Sequence, residues 1–120
     1  MIEVIDLKKS FGAIQAVQGV SFSAPDSRIT GLLGPNGAGK STTLRIISTV
    51  LQPGSGSVKV DGVDVLTDGN GARMALGVLP HQSGLYPRLT ARENIRYYGE
   101  LNGVTGTALD KRIAELIELL

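Results

Sequence analysis

Apolar and polar residues alternate along the first part of the chain, the period-two pattern of half-buried strands. Ile2 to Leu7 follows it, and so does Ala16 to Phe22, with Val17, Val20 and Phe22 placed toward a core. Pro25-Asp26 closes the second run. Ile29 to Leu33 is short, uncharged and ends at a Gly-rich turn, which predicts a strand buried on both faces. The period then lengthens. Leu44, Ile47, Val50 and Leu51 fall at helical spacing, so a helix is expected over Thr42–Leu51, stopped by Pro53-Gly54. Ser57 to Val65 reads SVKVDGVDV, with alternating valines on either side of Asp61-Gly62. That is the pattern of a hairpin with a two-residue turn.

Farther on, Asp68 to Gly71 reads as a loose polar stretch and Ala72 to Ala75 as a short helix. Leu76 to Leu79 reads as another buried strand, and Pro80 to Leu89 as a loop. Thr90-Ala91-Arg92-Glu93 has the spacing of a capping box, with Ile95, Tyr98 and Leu101 as the apolar stripe of the helix behind it. Gly103 ends that helix. Leu109, Ile113, Leu116, Ile117 and Leu120 form the stripe of a last helix, with Thr105 or Thr107 as its cap. Strands interleaved with helices place the chain in the α/β class. No stop signal follows Leu119-Leu120, so a piece of a longer domain is expected.

Composition narrows the chemistry. The chain has 120 residues, and 12 Lys plus Arg against 11 Asp plus Glu leave a net charge of +1. Such a balance creates no broad positive field, so no nucleic acid partner is expected. Zero Cys excludes disulfides, zinc-thiolate sites, iron–sulfur clusters and cysteine nucleophiles together. No apolar run approaches the roughly 18 residues of a membrane span. The opening Met-Ile-Glu-Val-Ile-Asp lacks the segments of a signal peptide. Glycine is the outlier, at 16 residues, and it gathers at the boundaries between apolar segments, where turns and close approaches fall.

One glycine cluster has a chemical meaning. Gly34-Pro35-Asn36-Gly37-Ala38-Gly39-Lys40-Ser41 satisfies G-x-x-x-x-G-K-[ST], between a predicted strand and a predicted helix. Glycines let successive backbone N–H groups converge on phosphate oxygens, and the following helix adds its positive end. Lys40 places a compact charge on the β- and γ-phosphates, and the Ser41 hydroxyl suits Mg²⁺, which prefers hard oxygen ligands. Nucleotide phosphate binding follows, with ATP and Mg²⁺ as cofactors.

The wording around the loop narrows the class further. GPNGAGKST runs to Thr42 and is followed by Thr43-Leu44, Pro53-Gly54-Ser55-Gly56 and the Asp61-Gly62 hairpin. This string resembles the ATP-binding subunit of ABC transporters. Lys9-Ser10-Phe11-Gly12 looks like the family's adenine-stacking aromatic loop, with Ala16 to Phe22 as the strand after it. Leu85-Tyr86-Pro87-Arg88-Leu89-Thr90, with Glu93-Asn94, is similar to the segment after the family's Q-loop. The resemblance covers essentially the whole chain and is nearest to single-cassette sodium- or drug-export ATPases. It implies a P-loop NTPase fold, here a partial ABC-type core with an antiparallel β subdomain and the start of a helical subdomain. The expected divisions are strands over 1–33, phosphate loop and helix over 34–52, and hairpin and core strand over 53–80. The Q-loop region then spans 81–89, and the helical start 90–120.

Phe11 has two readings, stacking on adenine or an ordinary core Phe, and the resemblance favours stacking. The Q-loop position is also open. In many family members a Gln lies four residues before the Leu of the Leu-aromatic-Pro stretch; here that place holds His81, with Gln82 one residue later. Either residue would help order Mg²⁺ or attacking water and relay nucleotide state, His81 through a neutral ring nitrogen. Either is equally a loop residue without a ligand. Tyr86 and Pro87 form a partner groove or simply pack their loop. Tyr97 reads as a partly exposed helix residue.

The resemblance implies an ATPase that, complete and dimeric, couples hydrolysis to solute export. Its partners would be a second cassette, as a homodimer, and a transmembrane permease that holds it at the cytoplasmic face of the membrane. The family's LSGGQ-like signature, second acidic strand motif, catalytic Glu and switch His have no counterpart within the 120 residues. Asp61 and Asp64 read as turn residues, Glu93 as a cap and Glu100 as a solvated residue. No catalytic residue is therefore expected in this stretch, which alone would be inactive. Two alternatives stand beside this reading, a ribosome-associated cassette and a truncated nucleotide-binding module without activity.

Overall fold

The computed structural model describes residues 1–81 and 84–119, in two compact units, Met1–Val78 and Leu79–Leu120. In the first unit β1 (Ile2–Phe11) and β2 (Ile14–Ala24) are followed by α1 (Lys40–Ile47), β3 (Ser55–Val60), β4 (Val63–Asp64) and α2 (Gly69–Met74). The strands form one antiparallel sheet in the order β2-β1-β3-β4. Val4, Leu7, Val17, Val58 and Val60 point from it into a core closed by Ile46 and Ile47 of α1, Val65, and Ala72 of α2.

Val4 and Leu7 are three residues apart, which strict alternation forbids. Both ladders of β1 shift register after Val4 or Ile5, and Asp6 there has φ 45°. This bulge reverses the phase of the strand, so Ile5 and Asp6 stay outside and Leu7 turns inward. The Asp6 amide, freed from the ladder, donates to Ser21 Oγ at 2.8 Å. Pairing continues beyond the apolar residues to Phe11 and Ile14, joined by a two-residue turn at Gly12-Ala13. At the β3–β4 turn Val60 pairs with Val63, and Asp61 (φ 49°) and Gly62 (φ 80°) supply the two positive φ angles of a type I′ turn.

Two predicted strands do not form. Ile29–Leu33 lies outside the sheet, with Ile29 fully exposed and Leu33 92% exposed. Leu76–Leu79 is likewise irregular; Leu76 packs at the core margin while Val78 and Leu79 are exposed. A strand buried on both faces needs parallel neighbours and covering helices, and among the described residues no strand runs beside either segment. The helix of 42–51 is also corrected. It runs Lys40–Ile47 and ends where Thr49 takes φ 61° and the amides of Thr49 and Val50 cap the carbonyls of Ile46 and Arg45. Its inward face is Thr43, Ile46 and Ile47, leaving Leu44 and Val50 exposed. Asp68, expected in a loose stretch, instead caps α2 by accepting from the Gly71 amide at 2.8 Å.

In the second unit α3 (Ala91–Leu101) packs on α4 (Gly106–Leu119). Leu109 and Ile113 are buried, one turn apart, and Arg96 pairs with Asp110 at 2.5 Å. Thr107 lies inside α4 and Thr105 just before it. The stripe predicted for α3 is not its buried face. Asn94 is the buried residue; its Oδ1 accepts from the Tyr86 amide at 2.8 Å, and its Nδ2 donates to the carbonyls of Leu89 and Thr90 at 3.1 Å. A polar side chain buried to tie down its own loop is invisible to a count of apolar positions. Tyr86 packs edge-on against Tyr97, with ring centroids 4.9 Å apart.

The capping box at Thr90 and Glu93 is complete. The Thr90 amide and hydroxyl donate to Glu93 Oε2 at 2.7 Å, and the Glu93 amide returns to Thr90 Oγ1 at 3.3 Å. The donated backbone bond, then the hydroxyl, hold the Glu93 carboxyl below the usual carboxylate range. A carboxyl whose pKa is lowered on folding stabilises above its unfolded value and loses that contribution as the pH falls through the folded one. Glu93→Gln should therefore lower thermal stability near neutrality, with the difference from wild type closing in acid. A carboxyl that titrates in NMR at the ordinary value, or a gap independent of pH, would contradict this.

Candidate functional site

Gly34–Ala38 forms an exposed loop, and α1 begins directly behind it. Gly39 is the N-cap of the helix, in the left-handed region at φ 83° and ψ 5°. Two independent reasons require glycine here. The conformation is one that L side chains rarely adopt, and an added Cβ would overlap the Ala16 carbonyl oxygen and lie 3.1 Å from Val17 Cγ2. The loop is thus seated on the backbone of β2. Gly37 shares the left-handed geometry at φ 83°. Thr43 donates its amide to Gly39 O at 2.8 Å, the first closed turn of α1.

The amides of Lys40, Ser41 and Thr42, in the first turn, have no intrahelical acceptor. No side chain caps them and no acidic residue lies in that turn. The positive end of α1 therefore carries no acidic side chain within its own first turn. Lys40 Nζ folds back to donate to Gly34 O at 2.6 Å and Pro35 O at 2.7 Å, closing the loop. An ammonium has three donors, so one remains for an incoming anion. Ser41, the next residue, is exposed.

Phe11 is not a core residue. It is 48% exposed at the end of β1, and Lys9 Nζ lies 5.4 Å from the centre of its ring. Its register partner Ile14 is two residues along β2 from Ala16, about 7 Å at strand rise, so one hairpin bears both the ring and the seat of Gly39. A groove of about 560 Å³ opens nearby, lined by Lys8–Ser10, Gln15, Val17, Gln18 and Gly54–Ser55; the phosphate loop is not part of its wall.

His81 is exposed in the second unit, and Gln82 lies outside the described residues. Among the described residues no group of three or more His, Cys, Asp or Glu could hold a metal ion. Asp61 lies in the β3–β4 turn, and Asp64 Oδ1 accepts from the Leu66 amide at 2.8 Å in the next one. What the sequence did not reveal is the role of Ala16 and Val17 as the wall behind Gly39. Nothing in their residue types signals it, because the contact is made by a backbone oxygen and a common core methyl.

The family model for the ABC transporter matches residues 17–120. The chain belongs to the ABC transporter family. It is 40% identical, over 98% of its length, to the linearmycin resistance ATP-binding protein LnrL of Bacillus subtilis (strain 168), of which it spans 38%. A dimeric bacterial ABC transporter cassette superposes on 98% of the chain with a TM-score of 0.81 at 26% identity, and 55% of that cassette is covered. A post-hydrolysis state of such a dimeric cassette, bound to ADP and phosphate, matches with a TM-score of 0.79 at 25% identity over the same shares. The fold is that of ABC-type P-loop ATPase cassettes, and the chain spans roughly two-fifths to half of these proteins.

The seat of Gly39 can be tested without any ligand. Gly39→Ala forces a non-glycine residue into the left-handed region, which costs on the order of 1–3 kcal/mol, and adds an overlap with backbone that cannot move aside. A thermal or urea melt should show a loss at or above that range. A change below about 0.5 kcal/mol would mean that the loop is not held against β2.

Proposed function

We propose that this chain supplies the ATP-binding loop of an ABC transporter ATP-binding subunit. The observation that carries the reading is the loop itself, which combines the uncapped first-turn amides of α1, the remaining donor of Lys40 and the exposed Ser41 on a glycine hinge seated on β2. These donors fit a polyphosphate and leave no acidic side chain in the helix's first turn to repel it. Gly34 to Thr42 would cradle the phosphates, and Phe11 would stack on the adenine. Ser41 would hold Mg²⁺ through its hydroxyl oxygen. When bound, Mg²⁺ neutralises phosphate charge and orients the terminal phosphoryl group. The residues of this chain bind and align the nucleotide; they supply no base.

In the longer protein we propose ATP hydrolysis by two such cassettes, a homodimer, coupled to solute export by a transmembrane permease at the cytoplasmic face of the membrane. The dimeric cassette and the drug-resistance relative support that reading. No helix among the described residues is long and apolar enough to cross a membrane.

Calorimetric titration with MgATP tests the site. Lys40→Ala removes a charge-assisted phosphate contact and should weaken binding about ten- to hundredfold, or on the order of 1.5–3 kcal/mol. Phe11→Ala should cost several-fold, whereas Phe11→Tyr should be tolerated. Unchanged affinity in Lys40→Ala would refute the assignment, and equal losses in both Phe11 variants would remove the stacking role.

Phosphate release addresses the chemistry. Contacts equally strong in the ground and transition states give affinity without lowering the barrier. This chain alone should therefore release phosphate no faster than its Lys40→Ala variant. Turnover dependent on Lys40 would mean that a base is present, and His81 would be the first residue to replace.

A further inference from the structure

We propose that Val17 is a positioning residue for the phosphate loop: its Cγ2 methyl, beside the Ala16 carbonyl, fixes Gly39 and thereby the direction of the amides that open α1. The inference rests on the nucleotide-binding reading of the loop and assigns Val17 no contact with nucleotide.

Gly39 is the joint between an exposed loop and a helix. Its φ and ψ set where the next peptide units point, and these include the Lys40 and Ser41 N–H groups. From Gly34 to Ala38 the loop is exposed, and its hydrogen bonds among the described residues are internal, from Lys40 to Gly34 and Pro35 and from Ala38 to Pro35. Such a loop can keep its own shape and still tilt as a body. A Cβ added at Gly39 would overlap the Ala16 oxygen and stand 3.1 Å from Val17 Cγ2, so these two groups bound the joint on the side of the sheet.

Val17 is suited to that task. It is 3% exposed, pairs with Lys9 across β1, and belongs to the same buried cluster as Ile46 and Ile47 of α1. One side chain therefore lies 3.1 Å from where a Cβ of the glycine joint would stand and shares a core with the helix that follows it. A β-branched residue is stiff about χ1, so its methyl occupies a fixed place rather than one of several. Without that methyl the joint gains room, and the amides of α1 would have to be ordered by the ligand at the expense of affinity.

Two isomeric substitutions separate position from bulk. Val17→Ile keeps the branch at Cβ and its Cγ2 methyl; Val17→Leu has the same atoms but moves the branch to Cγ. Val17→Ala removes both methyls, and Val4→Ala makes the same deletion at a core site on β1. All are compared at a temperature where circular dichroism shows each to be folded. Val17→Leu and Val17→Ala should weaken MgATP binding about three- to tenfold and shift the Gly37–Ser41 amide resonances of the nucleotide-free protein. Val17→Ile and Val4→Ala should stay within about twofold of wild type, with those resonances unmoved. Should Val17→Ala fail to fold, the isomeric pair decides alone. Equal affinity in the Ile and Leu variants, with loop resonances in place, overturns the proposal. If wild type itself does not bind MgATP, the nucleotide reading fails, and the loop resonances still decide whether Val17 holds Gly39.

Discussion

The contact on which the rest of this site depends is the one between Gly39 and the backbone of β2. Phosphate binding by backbone amides requires several N–H groups to converge, and that convergence is decided by one joint. At Gly39 the chain turns from loop to helix in a conformation a side chain would strain, against a carbonyl a side chain would strike. The strand that supplies this carbonyl is held in turn by its ladder to β1. Sheet, joint and helix end form a single mechanical series.

The series explains how much of the site was legible beforehand. The loop and the helix start behind it were locatable because their spelling is local: glycine, lysine and hydroxyl at fixed spacing. The Asp61-Gly62 hairpin and the Thr90–Glu93 box were readable for the same reason, since a turn or a cap is settled by residues within four positions of each other. The wall behind Gly39 was hidden because it joins residues more than twenty positions apart through a main-chain oxygen, and no residue type announces an oxygen that every residue has. The Asp6 bulge was hidden too. It leaves the apolar composition of β1 unchanged and alters only which of its residues face inward.

Ile29–Leu33 and Leu76–Leu79 mark another limit. Their apolar runs report an environment that is buried on both sides, and such an environment is made by other segments. The described sheet is antiparallel throughout and ends at β2 and β4, so neither run finds a neighbour in it. The chain spans 38% of one curated relative and 55% of a matched cassette, so a sequence pattern written for the whole domain is read here against part of it. Exposed Ile29 and Leu33 next to the phosphate loop also mean that the loop's upstream support is weak. More of its placement then falls on the downstream contact with β2.

The same hairpin that seats Gly39 ends in Phe11, and this tells how the two ends of a nucleotide would be coupled. Lys9 lies over the Phe11 ring at 5.4 Å, a cation–π contact worth about 0.5–1 kcal/mol at an exposed site. Stacking of an aromatic base contributes about 0.5–1.5 kcal/mol beyond the area it buries. The two are close enough in size that a base can displace the lysine at little net cost, or take the ring's other face and leave it in place. Neither outcome requires the hairpin to move. At the other end Lys40 already spends two donors on loop carbonyls and keeps one. On the nucleotide-binding reading both ends are preorganised on one strand pair, and the separation between them is set by β2 rather than by the ligand.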